Sequence, residues 1–192
     1  MAVVETVLAL AGIVVFLFLV VAIVQYNRLV TLRNRIRESW SNVGTELQRR
    51  HDLIPNLVET VKGYAKHEAT LFAAIARDRS AAMTAAKQGA AAATRTEQAV
   101  AAGLGRLLAV AEAYPKLQAS QNFLALQQEL ANTEDRIQAA RRFYNGNVRD
   151  YKNQGGTFPG SLWRRSFPPE AESFFEAEAT AATLPKVQLG AA

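Results

Sequence analysis

The chain has 192 residues, no cysteine, two histidines and a formal net charge of +5. Without cysteine there can be no disulfide, no thiolate nucleophile and no Cys-based zinc or iron-sulfur site. Once an apolar front and a polar, Phe/Pro-containing back are set aside, the length leaves room for one bundle domain of about 130 residues. The 49% apolar fraction is inflated by alanine, concentrated between Ala69 and Ala113. Alanine loses no side-chain entropy in a helix, so the class is all-α.

Charge is distributed unevenly. Residues 1–25 carry only Glu5, residues 26–153 hold 19 Lys/Arg against 12 Asp/Glu, and residues 154–192 hold 3 against 4. A basic domain can point to nucleic acid, but Arg28, Arg33, Arg35 and Arg37 directly follow the apolar segment and have a simpler role there. No nucleic-acid partner is expected.

Residues 7–24 (VLALAGIVVFLFLVVAIV) lack any polar side chain. Eighteen helical residues approach the ~30 Å hydrocarbon core of a bilayer. A cleaved signal peptide is the rival reading, but residues 1–5 hold no Lys or Arg, the run exceeds a usual h-region and no A-x-A-like site follows. The expectation is therefore a retained transmembrane anchor over residues 1–25. Its basic C-terminal flank predicts a single-pass protein with the N-terminus outside and the bundle in the cytoplasm.

From Leu29 the face-lining positions fall at Leu29, Leu32, Ile36, Trp40, Val43, Leu47, His51 and Ile54, so a first helix continues the anchor without a break. At Pro55 the missing N–H and the ring clash predict a boundary, with Asp52 as N-cap and Pro55 in the first turn of a second helix. One long Pro-kinked helix is the alternative, because no glycine supplies a turn. The second helix carries Leu57, Val58, Val61, Tyr64, Ala65, Phe72 and Ile75 towards Lys87. Gln88-Gly89 and an alanine run, residues 81–102 in its widest extent, read as a connection. The third helix shows Val100, Leu104, Leu107, Ala111 and Tyr114 and stops at Pro115. The fourth is the most regular, from Phe123 through Leu126, Leu130, Thr133, Ile137, Ala140, Tyr144 and Val148 to Tyr151, a coiled-coil-like seam ending at Gly155-Gly156.

Four such helices pack best as an antiparallel up-and-down four-helix bundle, here over residues 26–153. The remainder, 154–192, reads as an irregular tail that could start a short helix at Pro168 and Pro169 around Phe174. If helices alternate away from and towards the bilayer, Trp163, Arg164 and Arg165 return to its surface, where aromatic and basic side chains suit the interface. Aromatics capping the open end of the bundle are the plainer explanation. A continuous helix through Pro55 would give three passes and leave the tail far from the membrane.

Chemistry has little to work with. Neither His51 nor His67 follows a glutamate by three residues as in di-iron bundles, so no metal site and no cofactor is expected. Gly103-Leu104-Gly105 lacks the third glycine and the preceding strand of a dinucleotide loop, and reads as a close helix contact. No nucleophile elbow or P-loop occurs. Asp78, Glu97, Glu134 and Asp135 read as solvated helix faces, although spacing does not exclude a carboxylate pair drawn from two helices. The densest polar runs are QRRHDLIPNL (48–57) and RRFYNGNVRDY (141–151). As a contact surface or interhelical network they nominate Trp40, Arg50, His51, Asp52, Asn56, Arg141, Arg142, Tyr144 and Asn145, against a plainer reading as caps and paired charges at helix ends.

Those runs also carry a resemblance. YNRLVTLRNRIRESWSNVGTELQRRHDLIPNLVETVKGYAKHEATLF, then ANTEDRIQAARRFYNGNVRDYKNQ, the FPG step, and FFEAE followed by PKV resemble the LemA family in the same order over nearly all of the chain after Gln25. The resemblance implies a bacterial membrane-anchored four-helix bundle without established enzymatic activity. The family is itself similar to a magnetosome-membrane component, and its members often occur near membrane metalloprotease or TPM-domain proteins. The expected function is thus a non-enzymatic, self-associating scaffold on an anionic bilayer, in membrane organisation or envelope maintenance. The alternatives are a ligand- or peptide-binding module, or an accessory subunit with a membrane-protein partner such as a protease or envelope protein.

Overall fold

The computed structural model describes residues 1–168 and 172–176. Among these there is no strand. The chain runs through α1 (Ala2–Lys62), α2 (Ala69–Ala86), α3 (Ala90–Glu112), the single turn α4 (Pro115–Gln118) and α5 (Gln121–Gly156), then a 3-10 turn at Gly160–Trp163. The all-α expectation therefore holds. The short final helix does not form around Phe174, because residues 172–176 are irregular; Pro169 and the PKV segment lie outside the described residues.

α1 is one helix of 61 residues. Its apolar N-terminal window is long and apolar enough to cross a membrane, and none of that window is buried. The expected boundary at Pro55 is absent: Asp52 is mid-helix rather than an N-cap, and the helix continues to Lys62. The break comes instead at residues 63–68, where the Tyr64 and Ala65 amides both donate to the Val61 carbonyl at 2.9 Å and Ala65 is buried. Tyr64 and Ala65 thus belong to a loop, not to a helix. Because the chain still turns back, only later, helix continuity through Pro55 does not reduce the number of long helices to three.

The alanine run is not a connection either. Only residues 87–89 separate α2 from α3, and the alanines on both sides are helical, as their propensity favours. The turn is made by Gly89 at φ +106°, a backbone conformation that a side chain resists. Pro115 behaves as expected: α3 ends at Glu112 and the proline opens α4, where its missing N–H costs no helix bond.

The described chain divides into two units. The first comprises Met1–Ser41 and Arg142–Ser173. Its buried residues repeat at helical spacing on α1 (Leu29, Leu32, Ile36) and on α5 (Tyr144, Val148, Tyr151). Gly160 of the FPG step is obligatory, since a Cβ there would lie 1.9 Å from the Gln154 carbonyl oxygen. The second unit holds Asn42–Arg141 and, of the described residues that follow, 174–176. There Ile54, Leu57 and Val61 of α1, Phe72 and Ile75 of α2, Val100, Leu104 and Leu107 of α3, and Phe123 and Leu130 of α5 share one core. Each such side chain contributes about 1.5–3 kcal/mol on burial. Gly103 lets α2 and α3 approach closely, because a Cβ on it would meet Ile75 Cγ1 at 3.2 Å. Gly105 has open space and makes no such contact.

Candidate functional site

The second unit contains a polar layer inside its apolar core. Arg50 and His51 occupy consecutive positions on α1, and both are almost fully buried, as is Glu97 on α3. Arg50 Nη2 donates in a short bond to Glu97 Oε2, and Nη1 donates to Glu134 Oε1 of α5 at 2.8 Å. His51 Nε2 sits 3.1 Å from the other Glu97 oxygen. One guanidinium therefore joins two carboxylates from two different helices, and one of those carboxylates also holds the imidazole.

Pro55 explains the fourth participant. A proline inside a helix supplies no N–H to the carbonyl four residues earlier, which here is that of His51. Arg79 of α2 takes over: its Nε donates to the His51 carbonyl at 2.6 Å, and its Nη2 lies 3.9 Å from Asp52. A buried carbonyl left without a donor costs about 1–3 kcal/mol, so this bond offsets the N–H that the proline removes from α1. α1, α2, α3 and α5 are all tied together at one level of this unit.

Burial alone would raise the Glu97 pKa, but the His51 hydrogen bond and the Arg50 charge outweigh it and hold the carboxyl below its ordinary value. Burial would likewise weaken the Arg50 cation, but Glu134 and Glu97 together raise its pKa. Glu97 is thus a carboxylate and Arg50 a cation, each consumed by the other. Such groups are poor acid/base catalysts, because a proton shuttle needs a pKa near the working pH. Their value is geometric: sliding α3 by one residue would turn Glu97 out of the core and leave the buried Arg50 cation paired with Glu134 alone, breaking a buried ion pair at a cost of about 3 kcal/mol.

Glu97 and Glu134 correct the reading of solvated helix faces. Glu97 falls on the buried face of α3, in the series Ala93, Glu97, Val100, Leu104, and that spacing was a usable signal. Asp78 is close to its neighbour Arg77 at 3.6 Å, and Asp135 is exposed. Of the nominated residues, Arg50, His51 and Asp52 come together in the layer. Asn56 is exposed, with its carbonyl accepting from Thr60 at 2.7 Å. Arg141 is half-buried in the same unit. His67 is exposed in the loop before α2.

Trp40, Arg142, Tyr144 and Asn145 belong to the first unit. Trp40 and Tyr144 pack with ring centroids 5.3 Å apart, and the Tyr144 hydroxyl donates to the Ser173 carbonyl at 2.8 Å. Burial, helped by Glu172, pushes that phenol up to about 12. Arg142 is exposed and Asn145 half-buried. Among the nominated interface residues, Arg28, Arg35 and Arg37 are exposed, while Arg33 lies 3.8 Å from Glu172. Trp163 packs edge-on against Tyr26 at 5.3 Å, and Phe167 does the same. The tail therefore folds onto the residues just after the apolar run, in contrast to the distant tail expected from a continuous first helix. Arg164 and Arg165 are exposed beside it.

The chain is 25% identical over 172 residues to "Magnetosome protein MamQ" of Magnetospirillum gryphiswaldense, covering 77% of this chain and 63% of that protein. It is 26% identical over 158 residues to "Magnetosome protein MamQ 2" of Paramagnetospirillum magneticum, covering 70% and 58%. The chain thus spans about three fifths of the length of these relatives. The LemA family model matches residues 39–189, most of the chain and all of the charged layer. This protein belongs to the LemA family.

Proposed function

We propose that the protein is a membrane-anchored, non-enzymatic scaffold: residues 7–24 span the bilayer once, and an up-and-down four-helix bundle is presented on the cytoplasmic side of the bacterial inner membrane. The observation that carries this reading is α1 itself, a single helix with an unburied apolar run at one end and core residues Ile54, Leu57 and Val61 at the other. The four basic residues after the run favour the cytoplasmic side. The likeness to proteins named for the magnetosome is in keeping with membrane organisation.

The charged layer supports a scaffold over a ligand-binding module, because the Arg50, Glu97, Glu134 and His51 side chains that converge there are paired with one another. In-membrane crosslinking of the full-length protein, followed by purification and mass spectrometry, tests the proposal. Recovery mainly of itself supports a homo-oligomeric scaffold. One stoichiometric membrane protein instead would make the chain an accessory subunit. Protease treatment of intact spheroplasts tests the orientation, and digestion of the bundle from outside would reject it.

A further inference from the structure

Within the first unit, α1 and the end of α5 enclose a groove of about 500 Å³. On α1 it is lined by Arg28, Thr31, Leu32 and Arg35, and on the α5 side by Asp150, Asn153, Gln154 and Thr157. Each set follows helical spacing, so each is one face of its element. Arg28 and Arg35 are exposed, and among the described residues neither has an ion-pair partner, although Asp150 shares the groove.

The height of the groove is set by two contacts. Gln154 Nε2 donates to Gln25 Oε1, and Gln25 is the first polar residue after the apolar run. Arg28 is one turn further, about 6 Å along the axis from the last apolar residue, which is the depth of a phospholipid headgroup layer. Arg35 lies about 16 Å along, and helical side chains lean back towards the N-terminus, here towards the bilayer. Beyond Thr157 the chain exposes two large apolar side chains, Phe158 (77%) and Leu162 (57%), beside the Trp163–Tyr26 stack. Guanidinium and amide or hydroxyl donors suit a phosphodiester, while the exposed phenyl and leucyl groups suit the glycerol and upper acyl region.

We infer that this groove binds the headgroup of an anionic phospholipid, with Arg28 and Arg35 on the phosphate and Phe158 and Leu162 in the lipid below it. The inference rests on the anchoring of residues 7–24 proposed above. It goes beyond general attraction of a basic flank, because it predicts that two particular arginines matter and that Asp150 opposes them.

The test uses the delipidated full-length protein in mild detergent, titrated with phosphatidylglycerol or phosphatidylcholine and read by native mass spectrometry. The wild type is expected to prefer phosphatidylglycerol. Arg28→Gln with Arg35→Gln should lower its affinity roughly twenty-five-fold, taking about fivefold per arginine near a membrane surface. A charge-matched pair outside the groove, Arg37→Gln with Arg149→Gln, should change it less than twofold, and Asp150→Asn should strengthen it. All these side chains are exposed, and circular dichroism checks that helix content is retained. Equal losses in the two arginine pairs, or no wild-type preference, would overturn the site. Displacement of the lipid by millimolar inorganic phosphate would overturn the assignment to a lipid and leave a free-anion site. Carbonate extraction of the wild type from membranes reports separately on the anchor, so failure of the anchor is distinguishable from failure of the groove.

Discussion

Pro55 and Arg79 show how one residue's deficit is met by another 24 positions away. The pair predicts a specific non-additivity. Arg79→Ala should destabilise the protein by about 1–3 kcal/mol, since it strips the His51 carbonyl of its donor. In a Pro55→Ala background the helix supplies its own N–H, and the same substitution should cost much less. Urea unfolding of the four proteins measures this, and an equal penalty in both backgrounds would show that Arg79 acts only through Asp52. Glu97 makes a second prediction at this scale. Its carboxyl pKa is lowered in the folded state from an ordinary 4.5, so its contribution is present above that value and is lost as pH falls through the depressed folded value. Glu97→Gln should cost about 3 kcal/mol near neutral pH and flatten the acid side of the stability curve. Unfolding midpoints between pH 3 and 7 test the sign; an unchanged acid slope would exclude Glu97 as the group responsible.

At the scale of elements, helix boundaries here are set by what happens to individual backbone groups. α2 and α3 are alanine-rich throughout, and the three residues between them turn because Gly89 takes a positive φ. Gly89→Ala should therefore destabilise by about 1–3 kcal/mol. Gly105, in contrast, sits inside α3 with nothing within 4 Å of the place a Cβ would take, and Gly105→Ala should stabilise by about 0.5–1 kcal/mol through helix propensity alone. Thermal melts of the two variants should move in opposite directions, and a shared direction would contradict the assignment of the turn to residues 87–89. The apolar periodicity of α5 was legible because Phe123, Leu130, Ile137, Tyr144, Val148 and Tyr151 are all buried, as their spacing requires. The extent of α1 was not, because a proline reads as a stop until the donor that replaces its N–H is known.

For the molecule as a whole, the apolar end of α1 is the feature with the largest consequence. Two arginines placed in its middle, Val15→Arg with Phe18→Arg, should cost about 5–7 kcal/mol on insertion at ~2.5–3.5 kcal/mol each. The variant should become extractable by carbonate while wild type stays in the membrane pellet, and retention of the variant would refute the anchor. Composition and periodicity were enough to establish helices throughout, an apolar run at the front, a basic flank after it and the face of α5 that enters a core. These are properties of propensity and local spacing, which a chain carries along its own length. The partnership of Arg50 with Glu97 and Glu134, the rescue of the His51 carbonyl by Arg79, and the return of Trp163 to Tyr26 were decided only in three dimensions. Each joins residues separated by tens of positions, and which donor meets which acceptor depends on how the helices that carry them are packed.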